Sequence, residues 1–425
     1  MRFSCAFALG LALVGIGVGA GQAVALDAPH TLHRSKLSSQ HLTTTHARSR
    51  HAVAHHSASS ASTTVHHRAH AAVANSSGAT LHRTSLHVRR HRYYERFTAS
   101  SFAKSDIFAD DVITGEDPIV RKAAIDALGD MNGTAVVIDP SSGRVLAMVN
   151  QKLALSPGAE PCSTIKLSVA LAALSEGLVT RDTPVRLAGF RMNMTEALAK
   201  SNNLYFEELG RELGFDRVRH YATQFGLGEL AGYNIQGEQL GAYPDQVIPE
   251  SDGGVSRMCS FGQGVSMTPL QLGAFVAAIA NGGTLYYLQH PTTQAEVAAF
   301  EPKVKRTLDI AKYVPDLQDG MAGAVEYGTA RRLRANFSEL PVFGKTGTCS
   351  DKGTRFGWFV SYSDTPQGAL VTVFFLEGGR PTFGPRAAEL TGEFYKNLWD
   401  RNYFADKGQQ TTAMAPTASS TTDVQ

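Results

Sequence analysis

Behind Asp117-Pro118, which pairs an N-cap with a first-turn proline, apolar residues Ile119, Ala123, Ile125 and Leu128 recur at helical spacing. Two β-rich runs, Thr134–Asp139 and Arg144–Asn150, flank Pro140-Ser141-Ser142-Gly143 and predict a hairpin. The helical period returns in Ser163–Glu176, Asn203–Leu213, Phe215–Phe225, Thr268–Asn281 and Leu308–Val325. Three strand-like runs, Val342–Thr348, Arg355–Ser363 and Ala369–Leu376, then precede an amphipathic helix from Pro385 to Trp399. Strands at both ends with helices between predict one sheet closed by sequence-distant strands. A helical lobe inserted within it gives a two-lobed α/β (α+β) domain with its cleft at the junction.

The start of the chain has a different pattern. Met1-Arg2, an apolar run from Phe3 to Ala20 and the small-x-small site Ala23-Val24-Ala25 predict a secretory signal cleaved after Ala25. An uncleaved anchor is the rival, although Gly10, Gly15, Gly17, Gly19, Gly21 and Gln22 make the run a marginal span. Either way the body is exported, to the periplasm or the outer face of the cell membrane. Residues 26–116 read as a basic, disordered linker rich in His, Ser, Thr and Ala. Residues 26–97, with few large apolar side chains, are expected to be disordered. Order is expected from Asp117 to Ala405, with a disordered Thr/Ser/Ala tail beyond.

The net charge of +2 hides a split: the first 100 residues hold eleven Lys/Arg against only Asp27 and Glu95, leaving 29 Lys/Arg against 36 Asp/Glu in the remainder. Pairs such as His55-His56 and His66-His67 offer metal ligands, and Arg89-Arg90-His91-Arg92 an anchor for acidic wall polymers. A solvated tether is the plainer reading. No nucleic-acid partner is expected.

Thirteen of the fifteen histidines precede residue 92, so the body has only His220 and His290. A Ser-His-Asp hydrolase and a His-rich zinc site are both disfavoured on that ground, and neither cofactor nor metal is expected. Ser163-Thr164-Ile165-Lys166 supplies another base. Positions i and i+3 share a helix face, so the Lys166 amine lies one turn from the Ser163 hydroxyl, and Ser163 at the helix start meets free backbone N–H groups. Burial beside a second cation lowers a lysine pKa and makes the neutral amine available. A second Ser-x-x-Lys, Ser101-Phe102-Ala103-Lys104, falls in the basic linker before any strand. Ser163 instead follows Pro157-Gly158 and Pro161 and opens a long apolar helix. Ser201-Asn202-Asn203 closes a short helical stretch and can project a hydroxyl and a carboxamide into the cleft. Lys345-Thr346-Gly347 reads as an edge strand beside the serine. There Lys345 and Thr346 can hold a carboxylate, and Gly347 admits close approach of a substrate backbone.

In this order, Ser-x-x-Lys, Ser-x-Asn and Lys-Thr-Gly resemble the motif set of penicillin-binding proteins and serine β-lactamases. Thr134–Asn150, Gly262-Gln263-Gly264 with Thr268-Pro269-Leu270-Gln271-Leu272, Ala280-Asn281-Gly282-Gly283 and Gly328-Thr329-Ala330 are similar to the transpeptidase domain of penicillin-binding proteins, over about Asp117 to Trp399. The resemblance implies a β-lactamase/transpeptidase-like fold, an antiparallel sheet flanked by helices plus an all-helical lobe. It implies a peptidoglycan D,D-transpeptidase in which Ser163 attacks the D-Ala-D-Ala carbonyl of a stem peptide and Lys166 takes its proton. Ser201 would relay a proton to the leaving D-alanine with electrostatic help from Lys345. Asn203 would bind the substrate amide and Thr346 the terminal carboxylate, with the backbone N–H groups of Ser163 and Thr348 as the oxyanion hole. The implied partners are stem peptides, β-lactam antibiotics that acylate Ser163, and other cell-wall synthesis proteins.

Two departures stand out. Cross-linking members of the family usually carry a pedestal or a glycosyltransferase before the catalytic domain, and the 91 residues from Leu26 to Glu116 fit neither. Cys162 stands where the family more often has glycine. With Cys349 its placement resembles class A β-lactamases that bridge these two positions, which implies a Cys162–Cys349 disulfide; two buried thiols, or pairings with Cys259, are the rivals. A β-lactamase or a D,D-carboxypeptidase is the alternative activity. The Leu-Asn dipeptide of class A deacylation is absent from the chain, and Ser201-Asn202-Asn203 is not the class D Ser-x-Val. A non-catalytic penicillin-binding sensor or scaffold is the third reading, which the intact Ser/Lys/Ser set opposes. His220, Trp358, Trp399 and Gln263 read as surface, packing or loop residues.

Overall fold

A computed structural model describes residues 97–405; the expected signal or anchor, the head up to residue 96 and the tail beyond Ala405 lie outside the described residues. Helix α1 (Pro118–Leu128) starts on Asp117, whose Oδ1 accepts from the Ile119 and Val120 N–H groups. Strands β1 (Gly133–Asp139) and β2 (Arg144–Val149) form the expected hairpin, followed by a short helix α2 (Gln151–Ala154). A 3-10 turn, Cys162–Ile165, leads into α3 (Lys166–Ser175). The small hairpin β3 (Val185–Leu187) and β4 (Phe190–Met192) precedes α4 (Met194–Ala199) and α5 (Asn203–Gln224), and α6 (Gly254–Phe261) and α7 (Pro269–Ala280) complete the helical lobe. A second small hairpin, β5 (Thr284–Tyr286) and β6 (Val304–Thr307), brackets α8 (Gln294–Ala298). After α9 (Val314–Glu326) come β7 (Phe343–Asp351), β8 (Thr354–Thr365), β9 (Gly368–Gly378) and α10 (Gly384–Asp400).

The sheet is five-stranded and antiparallel, ordered β2-β1-β9-β8-β7. It is closed by pairing β1 with β9, from Gly133 against Leu376 to Ile138 against Val371. Successive side chains point to opposite faces, and both faces are covered. Val136, Ile138, Trp358, Val360, Val373 and Phe375 face the helical lobe. Ala135, Val137, Phe359, Phe374 and Leu376 face the layer of α1 and α10. This double burial explains why β1 reads as an unbroken apolar run. Helix α7 is buried from Pro269 to Ile279, and a capping box of Thr268 and Gln271 satisfies its first N–H groups. Among the described residues no helix is long and apolar enough to cross a membrane.

Three expectations need correction. Disorder does not extend to Glu116, because residues 97–116 strap the sheet. Asp111 accepts from the Asn150 and Gln151 N–H groups and from Arg121; Glu116 accepts from Met148 N, Arg121 and His290; and Asp117 N donates to Leu146 O along the outer edge of β2. The second Ser-x-x-Lys lies in that strap, where buried Ser101 shares a hydrogen bond with Thr382 and accepts one from Gly379 N. The predicted helix at Leu308 begins at Val314 instead, since Pro315 lacks an N–H and belongs in a first turn. Ser163 stands in the 3-10 turn rather than in the α-helix that follows. The expected break between Leu213 and Phe215 is present: Gly214 is non-helical at φ 71° inside α5.

Candidate active site

The 3-10 turn brings its i and i+3 side chains nearly into eclipse, closer than an α-helix does. Lys166, the first residue of α3, therefore aims Nζ back at Ser163 Oγ, 3.0 Å away. Ser163 is half-exposed while Cys162, Thr164, Ile165 and Lys166 around it are buried. Lys166 Nζ also lies within hydrogen-bond distance of the Ser201 carbonyl (3.0 Å), Ser201 Oγ (3.2 Å) and Asn203 Oδ1 (2.6 Å).

Ser201 is placed by the junction of two helices. Helix α4 ends at Ala199, Asn202 caps α5 by accepting from Tyr205 N, and Ser201 between them is left-handed at φ 53°. A serine in that region costs roughly 1–3 kcal/mol, a strain that persists only where surrounding contacts enforce it. Here they aim its hydroxyl between two lysine side-chain nitrogens, with Lys345 Nζ of β7 2.9 Å from Ser201 Oγ and 3.1 Å from the Thr346 carbonyl. Ser163, Lys166, Ser201 and Lys345 thus form one hydrogen-bonded chain, assembled from residues 182 positions apart.

Both lysines are fully buried. Burial, with the nearby Lys345 charge, holds Lys166 well below the ordinary lysine value, and Glu207 only partly opposes this. Burial lowers Lys345 to about 7. A neutral amine beside a hydroxyl is a proton acceptor, so the pair has the electrostatics of a general base and a nucleophile. Between about 7 and 10.5 the unfolded chain binds a proton that folded Lys345 lacks, so this group makes stability rise with pH across that window. We expect the difference in melting temperature between Lys345→Met and the parent to move in the variant's favour as pH falls from about 10 to 7. A difference independent of pH would contradict the buried, neutral lysine.

The rest of the site hangs on β7, the edge strand of the sheet. Thr346 shares a 2.6 Å hydrogen bond with Thr329, whose N–H donates to the Ala199 carbonyl. Thr329 was not singled out by spacing; the Gly328-Thr329-Ala330 run was its only signal. Thr348 Oγ1 accepts from Gly384 N at the start of α10. Asn203 turns its carboxamide oxygen toward Lys166, which leaves the nitrogen end as its donor. At Gly347 the space a side chain would fill is already taken, because a Cβ there would lie 2.8 Å from the Pro161 carbonyl and 3.2 Å from Thr164. This glycine thus first lets β7 close on the nucleophile turn. Gly347→Ala is expected to push the two apart and slow any reaction at the Ser163 hydroxyl by about 10²-fold, the scale of a misplacement near 1 Å. A rate at Ser163 within twofold of the parent's would show the contact to be soft.

Cys162 and Cys349 sit on these two elements with their sulfurs at bonding distance and Cα atoms 5.6 Å apart, while Cys259 is buried elsewhere. Cys162 is left-handed at φ 52°, which explains why glycine suits its position. Trp358 stacks on Phe375 and donates Nε1 to the Glu160 carbonyl, so it ties the nucleophile loop as well as packing. Gln263 is a loop tie, accepting from Arg257 and donating to the Asp252 carbonyl; His220 is exposed. Among the described residues no cluster of His, Cys, Asp or Glu could hold a metal ion.

Residues 133–396 match the family model of the penicillin-binding protein transpeptidase domain. The chain is 27% identical over 316 residues to stage V sporulation protein D of Bacillus subtilis (strain 168), covering 62% of this chain and 48% of that protein. It is 29% identical over 184 residues to peptidoglycan D,D-transpeptidase FtsI of Escherichia coli (strain K12), covering 36% and 31%. It therefore spans half or less of the length of these two relatives. The transpeptidase domain of Burkholderia pseudomallei penicillin-binding protein 3 superposes with a TM-score of 0.58 at 20% identity, over 69% of this chain and 97% of that one, a likeness of fold.

Proposed function

The chain belongs to the penicillin-binding protein transpeptidase domain family, and from that membership we propose that it is a peptidoglycan D,D-transpeptidase working through an acyl-enzyme on Ser163. The observation that carries this reading is the buried Lys166 amine 3.0 Å from a half-exposed Ser163 hydroxyl, with Ser201 bridging it to Lys345.

Neutral Lys166 takes the Ser163 proton as Oγ attacks the carbonyl between the two terminal D-alanines of a stem peptide. The backbone N–H groups of Ser163 and Thr348 stabilise the resulting oxyanion, each such donor being worth about 3–4 kcal/mol. The substrate lies along the open edge of β7, with its carboxylate at Thr346 and Thr329 and its amide at Asn203. As the C–N bond breaks, Ser201 Oγ gives a proton to the departing D-alanine amine and is replenished from Lys166, with Lys345 stabilising the transfer. An amine of a neighbouring strand then attacks the ester, gives up its proton through Lys166 and Ser163, and leaves a cross-link. A β-lactam enters by the same first step and stays as an ester.

We place this chemistry outside the cytoplasm, where a Cys162–Cys349 disulfide is stable, and expect other cell-wall synthesis proteins as partners. The test supplies the chain with a D-Ala-D-Ala pentapeptide and an amine acceptor. Release of D-alanine with a new amide to the acceptor is expected. Hydrolysed peptide alone would mark a carboxypeptidase, rapid penicillin turnover a β-lactamase, and no reaction a scaffold.

A further inference from the structure

At the far edge of the sheet from β7, beside β2, lies a cavity of about 660 Å³ that acyl transfer does not use. Four strand spacings of ~4.8 Å separate the two edges, so this cavity is roughly 19 Å or more from Lys345. Its size falls within the range of about 300–1,000 Å³ of small-ligand sites.

Two aromatic rings, Tyr233 and Phe300, and four carboxamides, Gln151, Asn234, Gln236 and Gln289, border it. The loop that carries Tyr233, Asn234 and Gln236 is firmly built. Both oxygens of Glu238 accept backbone N–H groups, from Ala231 and Gly232, while Tyr233 N donates to Leu288 O and Leu288 N to Ala231 O. Tyr233 itself is held by an edge contact with Tyr287 and by Lys303 Nζ 4.6 Å from its ring centre. Yet the carboxamides of Asn234 and Gln236 make no hydrogen bond among the described residues, although Asn234 holds a left-handed φ of 56°.

The charged groups around the cavity are already engaged. His290 bonds Glu116, Arg144 donates to the Gly115 carbonyl and covers the Phe300 ring, and Glu296 accepts from both the N–H and the hydroxyl of Thr292. Among the lining side chains a charged ligand therefore finds no waiting counter-charge, and the nearby Lys303 sits against the Tyr233 ring. Groups that both donate and accept, set beside aromatic faces, match a ligand rich in hydroxyl and acetamido groups with an apolar C–H face.

We propose that this cavity binds a neutral β-linked amino-sugar oligosaccharide, and so holds a glycan strand while the peptide it bears is worked on at Ser163. Only the second half rests on the proposed transpeptidase activity; the binding stands on the cavity itself. A second attachment of this kind raises the effective concentration of a polymer-borne peptide without altering chemistry on a free one.

The test titrates chitotetraose into the protein, followed by calorimetry and by chemical shifts of the 231–236 loop. Saturable binding is expected, weakened about tenfold or more in the Tyr233→Ala, Gln236→Ala double variant. That variant should keep its melting temperature and its rate of β-lactam acylation, since both residues are exposed and far from Ser163. No saturable binding to the parent, or equal binding by the variant, would overturn the proposal. Either result is independent of whether Ser163 is acylated, so the two readings fail separately.

Discussion

Replacing Lys166 with methionine is expected to slow acylation of Ser163 by about 10³–10⁴-fold while the protein stays folded, because the amine is the only group bonded to Ser163 Oγ among the described residues. Methionine is close to lysine in length and fills the buried space without a charge. The same variant carries a pH signature. In the parent, acylation rises with pH as a proton leaves the two-lysine site, because only the neutral amine accepts the Ser163 proton. Burial, helped at Lys166 by the Lys345 charge, brings that rise down from the ordinary lysine range, with Lys345 at about 7. The two amines share Ser201, so the limb belongs to the pair rather than to either residue. We expect stopped-flow acylation rates to rise through this range in the parent and to lose the limb in Lys166→Met. A limb unchanged in the variant would assign the base elsewhere.

The second large effect concerns stability. Bridging Cys162 to Cys349 closes a loop with a sequence separation of 187, and loop-closure entropy for so long a span gives about 5 kcal/mol as an upper figure. Measured disulfides more often contribute about 2–4 kcal/mol. The double variant Cys162→Ser, Cys349→Ser should therefore unfold at clearly lower denaturant concentration, and the parent treated with reductant should match it. Acylation should slow as well, by about tenfold or more, because the bond joins the nucleophile turn to the strand that carries Lys345 and Thr348. Equal denaturation midpoints for oxidised parent and double variant would remove the bond from the account.

The parts of this fold that could be read in advance are those whose burial leaves a periodic trace. Strand β1, covered on both faces, appears as a continuous apolar run, and β8 and β9 as apolar runs broken by buried Ser361, Ser363 and Thr372; α7, buried along its length, is bracketed by Thr268 and Asn281; Gly214 marks the break in α5. The strap of residues 97–116 left no such trace. Its order rests on hydrogen bonds that single side chains, Ser101, Asp111 and Glu116, accept from backbone N–H groups far along the chain.

Much of the site was legible for a related reason. Ser163 and Lys166 are joined by local spacing, and Ser201 and Lys345 are brought to them by the helical lobe and the edge strand. What could not be read was backbone geometry: the positive φ at Cys162 and Ser201, the 3-10 turn that tightens Ser163 onto Lys166, and the Pro161 carbonyl that fills the space beside Gly347. The Thr329 contact with Thr346 was equally hidden, since nothing in the spacing of a short loop tells which strand it meets.

The central claim is that an unprotonated lysine, rather than histidine, prepares one particular hydroxyl for attack on a strained or terminal amide. Mass-spectrometric mapping of the protein after brief exposure to penicillin tests it most directly. A single, long-lived adduct is expected on the peptide holding Ser163, present in the parent and missing from Ser163→Ala. An adduct on any other residue, or an unmodified Ser163 with the antibiotic untouched, would contradict it.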